Sequence, residues 1–227
     1  PVNINYQNTN PDCFHPQNFD GTFRGPVTFR EGLAQSMNVP SVKVLYLTGM
    51  SDALKTAQDF GISTLNDPQR YGLSLVLGGG EVKLLDMVSA YATLAADGMK
   101  RPQAFVLKVD DSKGNMLEEY RDQSVEVVSP QYARLVNGIL SDVNARSPLF
   151  QNSLSLTTLP DREVALKTGT TNDKKDGWFC GFTRYYTTCV WVGCDMPETV
   201  KKLTGSSYPA EIWKNYMDQI HADLTPI

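Results

Sequence analysis

Lys167-Thr168-Gly169-Thr170-Thr171 places a cation, three hydroxyls and a residue without a side chain in five consecutive positions. An ammonium is a counter-charge for a carboxylate, and Thr168 and Thr170 can donate hydrogen bonds to the same group. Gly169 allows a second backbone to come close, as an extended peptide must when it pairs with a strand edge. The chemistry that suits this run is capture of an extended peptide ending in a carboxylate. Taken alone, the run equally suits a strand end followed by a polar turn. Ser36-Met37-Asn38 supplies a fourth hydroxyl and an amide, far away in sequence.

These residues need a sheet edge and a helix break to hold them. Val164, Ala165 and Leu166 read as a buried strand leading into the Lys167 turn. Trp178–Phe182 and Thr187–Cys194 follow as an antiparallel pair. Upstream, Thr28-Phe-Arg-Glu31 is a capping box with Pro26 shortly before it, so a helix starts near Phe29 and turns Phe29, Leu33 and Ala34 inward. Pro40 disfavours helical geometry at Val39 and can open a second helix, Ser41–Leu47. Ser36 and Asn38 then face outward together at the break. Gly49 closes that helix and Ser51 caps the next, Asp52–Phe60. Residues 62–83 are loop-rich around Leu73–Leu77. No Gly-Lys-Ser/Thr follows Gly78-Gly79-Gly80, so a phosphate loop is excluded. Leu84–Ala96 is amphipathic, and 102–120 reads as a hairpin with strands Ala104–Val109 and Met116–Tyr120. Ser129-Pro130 opens a helix to about Asp142, followed by a polar stretch from Asn144 to Arg162. Pro209 opens the last helix, where Ile212, Tyr216, Ile220 and Leu224 recur every fourth residue and are expected to cover the sheet. The expected class is α+β, one partial domain with an irregular lead-in at 1–23, a mainly helical region at 24–162, and sheet strands plus C-terminal helix at 163–227.

Composition narrows the function. Lys and Arg total 21 against 25 Asp and Glu, with no basic cluster, which argues against a nucleic-acid partner. No apolar run approaches the roughly 20 residues that cross a bilayer. The two histidines, His15 and His221, sit in no catalytic or metal-ligating context and are read as surface or terminal residues. Cys13, Cys180, Cys189 and Cys194 lack metal-site spacing, so neither metal nor cofactor is expected. If 183–186 is a tight turn, Cys180 and Cys189 face each other. They are read as two small buried thiols, with a disulfide as the alternative.

Ser36-Met-Asn38 and Lys167-Thr-Gly169 resemble the second and third motifs of the penicillin-binding protein transpeptidases. The resemblance extends through 25–40, through Met87-Val-Ser-Ala-Tyr-Ala-Thr-Leu-Ala-Ala-Asp-Gly98, and through Trp178-Phe179, Trp191-Val-Gly193 and 203–213. The 167–173 run is similar to the bifunctional, class A type. This implies a penicillin-binding, serine β-lactamase-like fold, and a parent that transfers acyl groups from D-Ala-D-Ala stem peptides and reacts with β-lactams. Ser36 is then a proton relay, and Asn38 binds the peptide amide. Lys167, Thr168 and Thr170 hold the terminal carboxylate, with Gly169 and Thr171 beside them. The Thr170 N–H gives half of the oxyanion hole.

The family's nucleophile belongs to a Ser-x-x-Lys motif, and none occurs here; Ser41-Val-Lys43 is one residue too short. The resemblance therefore implies a chain that starts after the nucleophile helix and lacks two sheet strands. The missing part of the domain is then its partner, and the isolated chain is expected to be inactive. It also implies a parent with a glycosyltransferase domain, anchored at the extracytoplasmic face of a bacterial membrane. The alternative is a non-catalytic wall-binding or scaffold module of the same fold.

Overall fold

Thr28 starts the first helix as the capping box requires. Its hydroxyl accepts from the Glu31 N–H at 3.1 Å, and the Glu31 carboxylate accepts from the Thr28 N–H at 2.8 Å. The structure is a computed structural model describing residues 14–171, 174–194 and 203–225. Helix α1 (Phe29–Ala34) is followed by α2 (Asn38–Thr48), α3 (Met50–Asp59), a short 3-10 helix (Leu73–Leu77) and α4 (Leu84–Ala95). Two small ribbons come next. Strand β1 (Met99–Lys100) pairs with β4 (Val125–Glu126), and β2 (Lys108–Asp110) pairs with β3 (Met116–Glu119). Helices α5 (Pro130–Leu140) and α6 (Val143–Phe150) precede the main sheet. That sheet is antiparallel, in the order β5 (Ala165–Thr170), β6 (Gly177–Phe182), β7 (Thr187–Val192), and α7 (Tyr208–Ile220) lies across it.

The sheet has two differently packed faces. Leu166, Phe179 and Val190 meet Trp213, Met217 and Ala210 of α7, and the Phe179 and Trp213 rings lie 4.9 Å apart. The Trp213 indole N–H donates to the Thr188 carbonyl at 3.1 Å, so this buried donor is satisfied. Ala165 and Phe182 project from the opposite face, onto Leu140, Leu33, Tyr91 and Leu94 of α5, α1 and α4.

Several sequence expectations are corrected. Helix α7 buries Ala210, Trp213 and Met217, while Ile212 and Tyr216 of the expected stripe are 49% and 51% exposed. Phe29 points to solvent, unlike Ala34. Helix α2 begins at Asn38, so Pro40 sits inside its first turn, where a missing N–H costs nothing. The first hairpin strand is only Lys108–Asp110, because Phe105, Val106 and Leu107 are exposed and bury nothing. The polar stretch after Asp142 contains α6, capped by the Asp142 carboxylate accepting from the Ala145 N–H at 2.8 Å. His221 is buried: its Nδ1–H donates to the Met217 carbonyl at 2.7 Å, and its Nε2 shares a hydrogen bond with the Thr183 hydroxyl at 2.8 Å. Cys180 and Cys189 form a disulfide instead of two buried thiols. Cys13 lies outside the described residues.

Candidate active site

The break between α1 and α2 is a helix C-terminus with a serine where glycine is usual. The Ser36 N–H donates to the Leu33 carbonyl at 3.1 Å and the Met37 N–H to the Gly32 carbonyl at 2.8 Å, the paired bonds of a Schellman ending. That ending needs a left-handed residue, and Ser36 supplies it at φ 53°. A side chain in this region costs roughly 1–2 kcal/mol. Gly32 allows α1 and α2 to approach, since a Cβ there would meet Pro40 Cγ at 3.3 Å. Asn38, at the start of α2, donates its amide N–H to the Gln17 carbonyl at 2.8 Å. The Val39 N–H in turn donates to Asn18 Oδ1 at 3.1 Å, so the lead-in is tied to this helix start.

Strand β5 brings the other half of the site to Ser36. The Lys167 ammonium donates to Ser36 Oγ at 2.6 Å and to the Thr168 carbonyl at 2.8 Å. Part of the side chain reaches the cleft surface, but the ammonium itself is enclosed, and burial lowers its pKa to about 8. Accepting from Lys167 leaves the Ser36 hydroxyl proton able to point elsewhere. The Thr171 N–H donates to the Asp176 carbonyl at 3.2 Å at the end of the β5–β6 ladder. In an antiparallel ladder, bonded and non-bonded pairs alternate, so Gly169 and Lys167 face β6 while the backbone groups of Thr168 and Thr170 face outward. No strand among the described residues pairs with that outer edge. Thr170 Oγ1 accepts from the Gly205 N–H at 3.0 Å and retains a proton to donate. Thr171 Oγ1 accepts from the N–H groups of Lys175 and Asp176, and so shapes the turn as well as lining the cleft.

Ser36, Asn38, Lys167, Thr168, Gly169, Thr170 and Thr171 all line one cleft of about 600 Å³. Sequence reasoning missed several of its supports. Arg146 of α6 is buried behind Lys167, donating to the Leu140 carbonyl at 2.7 Å and the Thr157 carbonyl at 2.9 Å. Burial lowers its pKa, partly offset by Asp142. Gly205 presses on β5, where a Cβ would lie 2.5 Å from the carbonyl oxygens of both Gly169 and Trp178. Thr204, Ser206, Trp178 and Phe19 are among the other residues of its walls. The Gly-Ser-Ser run before Pro209 was the available signal for this loop; Arg146 left none, because nothing in its neighbourhood marks a buried cation.

An ammonium and hydroxyls at an open strand edge, facing a serine and an amide on a strained helix ending, can hold a carboxylate and move a proton beside it. Those are two of the capabilities that acyl transfer uses. Among the described residues, no group of His, Cys, Asp and Glu side chains could hold a metal ion, and no helix is long and apolar enough to cross a membrane.

The profile of the penicillin-binding protein transpeptidase domain matches residues 3–218, and the chain belongs to that family. It is 34% identical over 216 residues to penicillin-binding protein 1A of Clostridium acetobutylicum, covering 93% of this chain and 26% of that protein. It is likewise 34% identical over 203 residues to penicillin-binding protein 1A of Aquifex aeolicus, covering 89% of this chain and 27% of that protein. The chain thus spans about a quarter of the length of these curated relatives. Among solved structures it is similar to PonA1 of Mycobacterium tuberculosis in complex with penicillin V, at TM-score 0.79 and 27% identity over 93% of this chain and 61% of that one. Penicillin-binding protein 1A of Haemophilus influenzae has the same fold, at TM-score 0.82 and 21% identity over all of this chain and 39% of that one.

Proposed function

We propose that these residues supply the carboxylate clamp and proton relay of a D,D-transpeptidase whose nucleophilic serine lies outside the 227 residues. The observation that carries the reading is the 2.6 Å bond from Lys167 to Ser36 at the open edge of β5. The terminal carboxylate of a D-Ala-D-Ala stem peptide, or of a β-lactam, sits against Lys167, Thr168 and Thr170. The peptide backbone pairs with the outward groups of Thr168 and Thr170 beside Gly169. The Thr170 N–H donates one hydrogen bond to the developing oxyanion, and the nucleophile's own N–H donates the other. Ser36 passes a proton toward the leaving amine, with Lys167 setting its polarity. Asn38 turns its amide from Gln17 to the substrate, or offers its Oδ1 to the substrate N–H.

The parent protein then cross-links stem peptides on the extracytoplasmic side of a membrane, held by a segment outside this chain. The isolated chain lacks a Ser-x-x-Lys serine and forms no acyl-enzyme. To test this, membranes of the source cell are labelled with fluorescent penicillin, captured with an antibody to this chain, and the product is sized. A labelled band far heavier than 25.2 kDa is expected. A captured band that takes no label contradicts the reading and favours a binding module without a nucleophile.

A further inference from the structure

The row of side chains that carries Lys167 ends in a covalent bond that the acyl-transfer reading does not use. Lys167 lies directly opposite Cys180 in the β5–β6 register, and Cys180 directly opposite Cys189 in the β6–β7 register. Directly opposed residues of antiparallel strands project from the same face. All three therefore stand on the face of Ala165 and Phe182, which packs on α4 and α5, and not on the face covered by α7. Cys180 and Cys189 are joined as a disulfide, with Cα atoms 4.1 Å apart, the close approach expected of a non-hydrogen-bonded pair.

Two features leave this row in need of a clasp. On this face the β7 neighbours of Cys189 are Thr187 and Trp191, and neither belongs to the buried core. Strand β7 has only β6 as a strand partner among the described residues. The Lys167 side chain is hydrogen-bonded at its ammonium tip, to Ser36 and Thr168, and its stem starts from the backbone row beneath it.

We propose that the Cys180–Cys189 disulfide is a positioning element for Lys167, keeping the strand row where the ammonium meets Ser36, and that a dithiol reductant releases it. The proposal rests on the clamp reading given above. In the release, one thiolate of the dithiol attacks the sulfur of Cys189, the less buried partner, and Cys180 leaves as a thiolate that takes up a proton. The reductant's second thiol then displaces Cys189 and closes the reductant's own disulfide. Two electrons and two protons pass to the protein, leaving two cysteine thiols. Strands β6 and β7 can then part, and water reaches the enclosed ammonium.

The test uses the full-length protein in three forms: oxidised, dithiol-reduced, and carrying paired substitutions. Cys180→Ala with Cys189→Ala removes the bond, and Cys180→Val with Cys189→Val removes it while refilling its volume. Trace acetylation across pH, read at the Lys167 peptide by mass spectrometry, gives the titration midpoint of Lys167. Penicillin acylation is timed on the same samples. The expected result is a midpoint that rises from about 8 toward the ordinary lysine value in the reduced protein and both paired variants, with acylation slowed about 10-fold. Dithiol should change neither paired variant further. An unchanged Lys167 midpoint in the reduced or paired-variant protein overturns the proposal, even if melting temperature falls. An oxidised protein that takes no penicillin counts against the acyl-transfer reading, and the Lys167 midpoint still decides the role of the disulfide.

Discussion

The two faces of the β5–β6–β7 sheet are built to opposite rules. Under α7, Phe179, Trp213 and Met217 are all 0% exposed, and the one buried polar group among them, the Trp213 N–H, has its acceptor. On the cleft side the chain tolerates a left-handed serine, an enclosed ammonium with a depressed pKa, and a buried arginine bonded to carbonyls instead of a carboxylate. The first face supplies the burial that stabilises the fold. The second holds polar groups in arrangements that cost free energy, and only a rigid backing lets them persist. Apolar burial and enclosed cations thus sit on opposite faces of one sheet.

Substitutions at three positions around the sheet test that division. Trp213→Ala empties the largest fully buried side chain and should lower stability by about 3–5 kcal/mol in a denaturant titration. Penicillin acylation per folded molecule of the full-length protein should be nearly unchanged at low temperature. Gly205→Ala drives a methyl into the carbonyls of Gly169 and Trp178, beside the Thr170 hydroxyl that Gly205 holds. It should cost about 1–3 kcal/mol and also slow acylation, because it displaces the strand that presents Thr170. Ser36→Gly should act on the two properties with opposite sign. It relieves the positive φ and leaves thermal stability equal or raised by up to about 1 kcal/mol, while acylation falls steeply with loss of the hydroxyl. A Ser36→Gly protein that is both less stable and fully active would erase the distinction between the faces.

The parts visible in the sequence are those written in local chemistry. The Thr28–Glu31 capping box, the apolar strand ahead of Lys167 and the turn that pairs Trp178 with Gly169 all depend on neighbouring residues. The seven residues of the candidate site come from the resemblance to the transpeptidase motifs, and they line one cleft. The missed features depend on distant partners. In α7 two apolar stripes compete, and Ile212 and Tyr216 lost to Ala210, Trp213 and Met217 because only the second set has Phe179 and Leu166 opposite it. Helix α6 was hidden by Pro148 inside it and by the absence of an apolar face; it is held by the buried Arg146. His221 looked like a tail residue until Thr183 and Met217 enclosed its ring. The left-handed conformation of Ser36 has no sequence mark, since the position would ordinarily belong to glycine.

Lys167 is proposed as a protonated carboxylate clamp, coupled to Ser36. The most direct test is the penicillin acylation rate of the full-length protein from pH 6 to pH 10, wild type against Lys167→Ala. A carboxylate binds the ammonium and not the neutral amine, and burial lowers the Lys167 pKa to about 8. The wild-type rate should therefore hold at neutral pH and decline as pH rises through about 8. Lys167→Ala should be slower by about 100-fold at neutral pH, lack that alkaline limb, and melt within a degree or two of the wild type. Equal rates for the two proteins, or an alkaline limb that survives the loss of Lys167, would contradict the account.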